Sequence, residues 1–333
     1  MKDIELRIAT LPYEHTRALA DGTVTVDGAR VTHESTPLVS DIFERMVRHE
    51  EFDVAELGLT FYLRTLELDD PRFVAIPVFP NRQFRHSAIF VNTASGIEKP
   101  ADLAGRTIGE FALYGHDAGF WAKGILSDEY GFSPERSRWV VGGFDWPMDP
   151  FDFVPQRHPE GVEVTRAPAG KALGPMLAAG EIDALISADV PRCALDGTPR
   201  IARLFPEYRS VETAYYRRTG IFPMMHTVVV RRELLDRHPG LARALYRAFD
   251  EAKKVTTERY RQARAFNHMT VMAPWFGELY EENRSLFGDD AWPYGVTANR
   301  TAIDTFLRYH HEQALTRRLL TCEEVFAPDL LTT

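Results

Sequence analysis

The sequence has little cysteine, no strongly basic stretch and no long apolar run. Cys193 and Cys322 lie far apart without a Cys-x-x-Cys motif, which excludes a disulfide framework or zinc knuckle and predicts reduced thiols in the cytoplasm. No segment is apolar for long enough to span a bilayer. The first residues, MKDIELRIATLPYEH, carry charges where a signal peptide needs an apolar core, so we expect a cytoplasmic protein rather than an exported one.

Positive charge is also scarce. The 39 basic residues are outnumbered by 48 acidic ones, which gives a net charge of −9 at pH 7. Nucleic acids and anionic membranes are therefore not expected partners, because their phosphates attract a positive stripe. A small anionic ligand remains compatible with this charge, since a pocket needs only a few arginines.

Several common motifs are absent. The sequence contains no GxGxxG, GxxxxGK[ST], HExxH or GxSxG, so it gives no support for a dinucleotide enzyme, a P-loop NTPase, a zinc protease or an α/β-hydrolase. The histidines are scattered, with none at metal-ligand spacing. We therefore expect no cofactor and no local metal site, although a metal site built from distant loops stays open.

The apolar pattern alternates between short strand-like runs and helical segments. With 333 residues and 44% hydrophobic content, this pattern predicts an α/β protein of two domains or one large unit, with mostly parallel strands. The predicted strands are residues 6–10, 52–56, 73–78, 88–91, 107–110, 139–141, 184–187 and 227–230.

Helix signals are clearest in three places. Ser40 is a predicted N-cap for a helix with apolar residues on one face, and a longer helix is predicted over 241–255. A third helix is expected to end at Gly180, before a buried strand. The irregular segment 142–159 is long enough to predict a functional loop that covers a site.

Sequence segments spread over the whole chain resemble a known family. Residues 97–109 (IEKPADLAGRTIG) and 176–186 (MLAAGEIDALI) resemble the type II periplasmic-binding-protein fold. More specific are FVAIPVFPNRQFRHS (73–87), LFPEYR (204–209), RTGIFPMMH (218–226), WPYGV (292–296) and LRYHHEQ (307–313). Together these segments resemble the 4,5-dihydroxyphthalate decarboxylase family, a cytoplasmic enzyme branch of that fold.

The resemblance implies a two-lobed α/β fold with two crossing segments and a central cleft. Residues 1–95 and 224–333 would form the first lobe and 96–223 the second. The implied activity is cofactor-independent decarboxylation of a hydroxylated aromatic or heteroaromatic carboxylic acid. A hydroxyl para to the carboxylate supplies electrons, so the protein needs to provide an acid, an anchor and a dry cleft.

Arg82, Arg85 and His86 lie within five positions of one another. Guanidinium groups bind carboxylates well, and an imidazole can deliver a proton. We therefore predict that Arg82 and Arg85 anchor the substrate carboxylate and that His86 is the acid. The alternative is a surface loop with solvated arginines and a histidine that caps a strand.

Other candidates lie next to predicted strands. His226 would act as a second acid or base, or bond the substrate hydroxyl; the alternative is a core histidine bonded to a carbonyl. Glu56 would orient a histidine or receive the phenolic proton, unless it lies on the surface. Tyr13, His15 and Arg17 occupy the first strand-to-helix loop, where an anionic oxygen can bind, although Arg17 alternatively faces outward from the helix.

Two segments depart from the pattern expected of the family. AELGLT (55–60) lacks a run of serines and keeps Thr60 as a hydroxyl donor, while YGHDAGFW (114–121) lacks the threonines expected after Tyr114. His116 would share the acid–base work. Asp117 would cap a helix but repel a nearby carboxylate, which favours a monoacid or a ring with a donor group over plain dihydroxyphthalate.

Two other functions stay open from the sequence. A cytoplasmic solute-binding protein is the first, because binding is the most common use of this fold and fold alone does not determine function. A lyase or hydrolase that acts on a different cyclic acid is the second. In each case the expected partner is a small molecule, and a homo-oligomer is possible.

Overall fold

The computed structural model describes residues 4–265 and 270–333. Within these residues the strands are β1 (Ile4–Ala9), β2 (Ala29–Glu34), β3 (Val54–Gly58), β4 (Phe73–Ile76), β5 (Ile89–Asn92), β6 (Thr107–Phe111), β7 (Arg138–Gly142), β8 (Glu163–Arg166), β9 (Ala184–Ile186), β10 (Ile201–Arg203) and β11 (His226–Arg231). The helices are α1 (Arg17–Ala20), α2 (Val39–His49), α3 (Leu59–Thr65), α4 (Asp117–Tyr130), α5 (Leu173–Ala179), α6 (Arg192–Leu195), α7 (Tyr208–Thr219), α8 (Arg232–Arg237), α9 (Leu241–Ala263), α10 (Phe276–Phe287), α11 (Arg300–Glu312) and α12 (Cys322–Val325).

The strands form two separate sheets, one for each lobe. The first has the order β2-β1-β3-β11-β4 and the second the order β10-β5-β9-β6-β7-β8. Pairing is parallel within β1–β3 and within β6–β9, as predicted, but β11 and β5 are antiparallel to both of their neighbours. Each of these two strands is the first that the chain forms after crossing from the other sheet, and it enters in the opposite direction.

The two crossing segments run side by side between the lobes. The amide of Gln83 donates to the carbonyl of Pro223 (3.1 Å), and the amide of Met225 donates to the carbonyl of Asn81 (2.8 Å). The indole N–H of Trp121 donates to the carbonyl of Met224 (2.8 Å), which ties α4 to this junction. A short two-stranded connection of this kind allows two lobes to move about a hinge.

The expected boundary between the lobes differs from the strand pairing. Residues 1–95 were predicted for the first lobe, whereas β5 pairs with β9 and β10 of the second sheet. The first crossing segment therefore ends before Ile89.

All eight predicted strand runs overlap observed strands. Strands β2, β8 and β10 were not predicted, because they are short or partly exposed and lack a buried apolar run. The predicted N-cap Ser40 is wrong: it lies inside α2, whose N-cap is Leu38, with no side-chain cap hydrogen bond. Helix α5 does end at Gly180 as predicted, because that residue has φ 75°, a conformation that favours glycine.

The cores follow from burial of apolar side chains on both faces of the sheets. Strand β3 is buried along its full length, including the carboxylate of Glu56, and α2 packs its apolar face on this strand. A buried carboxylate needs several hydrogen-bond donors, so neighbouring groups must bond Glu56 within the core. Among the described residues, no helix is both long and apolar enough to cross a membrane.

Candidate active site

A cavity of about 240 Å3 lies between the two lobes, next to the crossing segments. We call it the cleft cavity. Its polar lining consists of Ser40, Asn81, Gln83, Arg85, His116, Asp117, Asp189 and His226, and its aromatic lining of Phe43, Phe111, Phe144, Trp146 and Phe151. This volume is below the usual range for pockets that hold drug-sized ligands and suits a single ring with short substituents.

Glu56 is the most extensively bonded carboxylate near the cleft cavity. Its Oε2 accepts a hydrogen bond from the amide of Leu11 (2.9 Å), and its Oε1 accepts one from the hydroxyl of Tyr13 (2.7 Å). The Nδ1 atom of His226 lies 2.6 Å from the same Oε1. The side chain has 0% exposure, so these partners compensate for its burial.

Sheet register explains the contact between Glu56 and His226. Strands β3 and β11 are antiparallel, with Val228 opposite Glu56 and His226 opposite Gly58. Residues 56 and 226 are therefore diagonal neighbours on the same face of the sheet, within reach of long side chains. The ring of His226 also meets Phe43 edge-on, at a centroid distance of 5.1 Å, which fixes its plane.

His226 offers its second nitrogen to the cavity wall. Nδ1 is occupied by Glu56, and Nε2 makes no hydrogen bond within the described part of the chain. An imidazole held at one nitrogen by a carboxylate can exchange a proton at the other. The arrangement can therefore move a proton between Nε2 and a bound molecule.

His116 caps the N-terminus of α4 and also lines the cavity. Its Nδ1 accepts a hydrogen bond from the amide of Ala118 (3.3 Å), and burial lowers the pKa of His116 well below its ordinary value. The neutral ring must then carry its proton on Nε2. His116 is thus a hydrogen-bond donor and not a cation.

Asp117 follows directly and is fully buried. Its Oδ1 accepts a hydrogen bond from the amide of Thr60 (2.9 Å), while Oδ2 has no partner among the described residues. Burial raises the pKa of the Asp117 carboxyl group. Oδ2 of Asp117 lies close to the backbone of residue 58. This position needs a glycine, because the Cβ of any other residue would clash with Oδ2.

Arg85 is a buried cation that lines the cavity. Its Nη1 makes one long contact with the carbonyl of Ala188 (3.5 Å), its Nε has no partner, and no carboxylate in the described residues lies within ion-pair distance. Burial lowers the pKa of Arg85 to about 10, so it remains charged at neutral pH. An unpaired buried guanidinium beside a cavity suits an anionic ligand.

Two members of the predicted Arg82, Arg85 and His86 cluster do not reach the cleft cavity. Arg82 faces the hinge, where it donates to the carbonyls of Phe222 (2.9 Å) and Pro293 (2.7 Å) and to the side chain of Asn299. His86 is buried edge-on against Phe205 and Tyr215 at 5.2 and 5.4 Å, and burial lowers its pKa to about 4.

The reason is the alternation of side chains along the extended crossing segment. Asn81, Gln83 and Arg85 line the cavity, whereas the residues between and after them point elsewhere. Phe84, for example, stacks on Phe222 at 4.8 Å. In an extended chain successive side chains point to opposite sides, which separates Arg82 from Asn81 and Gln83. At Arg85 the backbone leaves the extended conformation (φ −118°, ψ −5°), and His86 begins a short 3-10 helix that carries its ring to Phe205 and Tyr215.

The remaining predicted residues are divided between the site and other surroundings. Tyr13 bonds Glu56, and its ring stacks on His15 at 5.1 Å. His15 itself lines a different cavity, of about 400 Å3, between α9 and α10. Arg17 is exposed on α1, and Tyr114 is buried beneath the ammonium group of Lys123, which lies 3.8 Å from the ring centroid.

The structure therefore brings together six of the twelve predicted site residues and leaves six outside. Those near or in the cavity wall are Tyr13, Glu56, Arg85, His116, Asp117 and His226. Those outside are His15, Arg17, Thr60, Arg82, His86 and Tyr114, of which Thr60 contributes only its amide, to Asp117.

Several lining residues were not predicted from the sequence. Asn81 and Gln83 could have been found from the alternating spacing of polar residues at 81, 83 and 85. Asp189 carries no such signal, because it follows β9 in a short loop. The irregular segment 142–159 contributes Phe144, Trp146 and Phe151 to the lining.

Among the described residues, no group of three or more His, Cys, Asp or Glu side chains is placed to hold a metal ion.

No family model matches the chain, but curated relatives do. A protein from Comamonas testosteroni named 4,5-dihydroxyphthalate decarboxylase is 35% identical over 331 residues, which cover 98% of this chain and 98% of the relative. A protein of the same name from Pseudomonas putida is 33% identical over 220 residues, covering 65% of this chain and 83% of the relative.

Solved structures agree on the fold. The periplasmic aliphatic sulphonate binding protein SsuA from Escherichia coli has a TM-score of 0.52 at 14% identity, covering 97% of this chain and 92% of that one. The alkanesulfonate-binding protein SsuA from Xanthomonas axonopodis pv. citri has a TM-score of 0.54 at 13% identity, covering 98% and 99%. This likeness confirms the two-lobed type II periplasmic-binding-protein-like fold. Because the Comamonas relative matches over nearly its whole length, the chain belongs to the 4,5-dihydroxyphthalate decarboxylase family and is an enzyme of the carboxy-lyase class.

Proposed function

We propose that this protein removes CO2 from a hydroxylated aromatic or heteroaromatic carboxylic acid bound in the cleft cavity, with His226 as the proton donor. The observation that carries the proposal is the Glu56–His226 pair beside a cavity that also contains the unpaired guanidinium of Arg85. These groups are the three parts that the reaction needs, namely an acid, a group that supports the acid, and an anchor.

The chemistry proceeds in two steps. The ring carbon that bears the carboxylate accepts a proton from Nε2 of His226, and a C–H bond forms as the para hydroxyl supplies electrons and loses its own proton to water. The bond between this carbon and the carboxylate then breaks, CO2 leaves, and the electron pair restores the aromatic ring as a phenolate. Water returns a proton to the phenolate oxygen and to Nε2 of His226. The intermediate holds the electrons itself, so the proposed reaction needs no cofactor.

Arg85 anchors the substrate carboxylate in this proposal. Its guanidinium has free N–H groups and no competing ion pair within the described residues, so a carboxylate gains a charge-assisted hydrogen bond there. This position would hold the reacting carbon in a fixed orientation. Fixed orientation of reacting groups lowers the barrier substantially.

Glu56 and Tyr13 support the proton donor. A negative carboxylate on Nδ1 stabilises the imidazolium form of His226, and it holds the ring in one orientation. The hydroxyl of Tyr13 and the amide of Leu11 hold the carboxylate in place. These two are positioning groups, because they act through Glu56.

His116 is proposed to donate its Nε2–H to the oxygen of the para substituent. That oxygen becomes carbonyl-like when the ring is protonated, and a neutral imidazole donor can stabilise it. The aromatic wall formed by Phe43, Phe111 and Phe151 keeps the surroundings apolar, which strengthens such interactions.

The test is a turnover screen with hydroxylated benzoates and related heteroaromatic acids, following CO2 release and the ultraviolet spectrum of the ring. We expect His226→Asn to lower kcat by about 100-fold to 10,000-fold, the usual range for loss of a general acid. A chelator is expected to have no effect. His86→Phe serves as the control, because His86 lies outside the cavity. Acids that bind without CO2 release would favour the solute-binding alternative instead.

We also propose a cytoplasmic location and a homo-oligomer. The two cysteines, Cys193 and Cys322, are free, which is usual in a reducing compartment. Met272 and Trp275 are highly exposed apolar residues close to α10, and such residues often mark contacts between subunits. Light scattering after gel filtration, with the double change of Met272 and Trp275 to Ser, would test the second point.

A further inference from the structure

We infer that the amino end of helix α2 holds a second carboxylate of the substrate, next to the carboxylate that Arg85 anchors. Together the two groups form a subsite for a ring with adjacent carboxylates. The inference rests on the proposed function and deepens it, because it assigns the groups that distinguish a diacid from a monoacid.

The sheet topology brings the amino end of α2 to the cleft cavity. Strands β1, β2 and β3 are parallel, so their carboxyl ends meet at one edge of the first sheet. Helix α2 follows β2 and begins at that edge, where its first residues, Val39 and Ser40, line the cavity. Ligands of open α/β sheets bind beyond this edge. The start of α2 therefore faces the space that a substrate would occupy.

The amino end of α2 has free hydrogen-bond donors. Its N-cap residue, Leu38, makes no side-chain cap, and the amides of Val39 and Ser40 donate to none of the described residues. The first N–H groups of a helix have no partner within the helix and favour an anion, which the helix dipole also stabilises. Ser40 adds a hydroxyl to the same part of the lining.

Arg85 is an independent sign of an anionic ligand in this cavity. The side chain is buried, with 3% exposure, its Nε has no partner, and its Nη1 makes one long contact with the carbonyl of Ala188. A buried guanidinium without a carboxylate partner is unfavourable unless a ligand supplies the anion. Arg85 approaches from beside the second lobe and α2 from the first. Two adjacent carboxylates on one ring would bridge them.

The number of cations in the cavity wall explains why a second carboxylate needs α2. Arg85 is the only arginine or lysine among the described residues that line the cleft cavity. Arg64 is occupied by the carbonyls of Tyr114 and Gly115, and Lys123 is occupied by a buried ion pair. A second carboxylate must therefore be bound by neutral donors, and the free amides of α2 are suited to this.

The acidic residues of the cavity wall do not prevent this binding. Oδ1 of Asp117 accepts a hydrogen bond from the amide of Thr60 (2.9 Å), and its Oδ2 is buried beside Gly58. Burial also raises the pKa of the Asp117 carboxyl group. Asp189 is exposed, so solvent screens its charge. The monoacid that the sequence favours on account of Asp117 is therefore not required by the geometry.

Val39→Pro removes one amide of the subsite and keeps the helix. Val39 is the first residue of α2, a position at which proline is well tolerated because the missing N–H has no helical partner. Leu38 has φ −122° and ψ 130°, the extended conformation that a residue before proline prefers. Val39→Ala is the matched control, since it shortens the same side chain and retains the amide.

Binding is measured with two acids that lack hydroxyl groups, phthalate with two adjacent carboxylates and benzoate with one. We expect wild type to bind phthalate more tightly than benzoate by about tenfold or more. In Val39→Pro the Kd of phthalate should rise about tenfold, because a hydrogen bond to a charged group is lost, whereas the Kd of benzoate should change by less than about twofold. Val39→Ala should keep the wild-type ratio of the two Kd values.

Two further variants complete the experiment. Ser40→Ala keeps the amide and removes the hydroxyl, so we expect a rise of about threefold in the Kd of phthalate and none in that of benzoate. Arg85→Gln should weaken the binding of both acids. Thermal melting shows whether each variant is folded, and if Val39→Pro is not, the ratio measured for Ser40→Ala decides the inference.

The outcomes separate this inference from the proposed function. Wild type without a preference for phthalate, or an equal loss of both acids in Val39→Pro, would overturn the inference and leave the decarboxylase proposal in place. An unchanged KM for 4,5-dihydroxyphthalate in Val39→Pro, where that acid is turned over, would also overturn it. Absence of CO2 release from every acid would overturn the proposed function, and the ratios of Kd would still decide the role of α2.

Discussion

Nδ1 of His226 lies 2.6 Å from Oε1 of Glu56, although the two residues are 170 positions apart in the chain. The contact is made possible by the antiparallel pairing of β11 with β3, and β11 is the strand that returns from the second lobe. A rigid two-strand platform thus carries the proposed proton donor and its supporting carboxylate. Sites built on strands hold their geometry better than sites built on loops.

Replacing Glu56 with Gln is expected to lower kcat by at least about 100-fold with little change in ligand binding. The amide keeps the size of the side chain. Its oxygen can accept from the amide of Leu11, and its NH2 group can donate to the hydroxyl of Tyr13 and to Nδ1 of His226, but a neutral group does not stabilise the imidazolium form of His226. Turnover and ligand affinity should be measured separately. Glu34→Gln, at a carboxylate outside the cavity, is the control. More than about one tenth of wild-type kcat in Glu56→Gln would contradict the role of Glu56.

A smaller loss is expected for Tyr13→Phe. Burial, followed by the nearby Glu56, raises the pKa of Tyr13, so its hydroxyl stays protonated and donates to Glu56 at any working pH. Its removal costs Glu56 one of three partners, and we expect kcat to fall about tenfold. Tyr114→Phe is a matched control, because its buried hydroxyl has no partner among the described residues and it lies outside the cleft cavity. Equal losses of kcat in the two variants would show that the effect is not due to Glu56.

The candidate residues that lie at strand ends were predictable from the sequence, but which of the candidates lie together was not. Glu56 and His226 were identified because each adjoins a recognisable buried strand. His86 was assigned the acid role because it is next to Arg85 in the sequence. The chain turns into a short 3-10 helix at His86, which carries its ring away from the cleft cavity, and sequence proximity does not reveal which residues of a crossing segment face the cleft.

Arg85→Gln is expected to raise KM strongly without loss of stability. Loss of a charge-assisted bond to a carboxylate costs about 2–5 kcal/mol of binding, which corresponds to roughly 30-fold or more in KM. The free protein should be as stable as wild type or more so, because a buried unpaired cation is unfavourable. Thermal melting and steady-state kinetics together test both parts.

Arg82→Gln provides the opposite pattern. Arg82 bonds two hinge carbonyls and Asn299, so its loss should lower the melting temperature and leave KM unchanged. If both variants raised KM equally, Arg85 would not be a specific anchor.

His86→Phe is expected to leave turnover unchanged at pH 7 and to make the protein more resistant to acid. Burial lowers the pKa of His86 to about 4 in the folded protein, against about 6.5 in an unfolded chain. Above pH 6.5 both states are neutral and His86 has no effect on the pH dependence. As the pH falls from 6.5 to 4 the unfolded state takes up the proton first, so the free energy of unfolding drops by about 3 kcal/mol at pH 4.

Phenylalanine removes that loss and fits the edge-on contacts with Phe205 and Tyr215, while it also removes a buried Nδ1 that has no partner among the described residues. Urea unfolding at pH 7 and pH 4 measures the difference for both proteins. Wild type should lose more free energy of unfolding than the variant between pH 7 and pH 4. Burial also lowers the pKa of His15 to about 4, but His15 contributes equally to both proteins. If the variant lost as much free energy of unfolding at pH 4 as wild type, His86 would not be a buried neutral group. If its turnover fell, His86 would take part in catalysis.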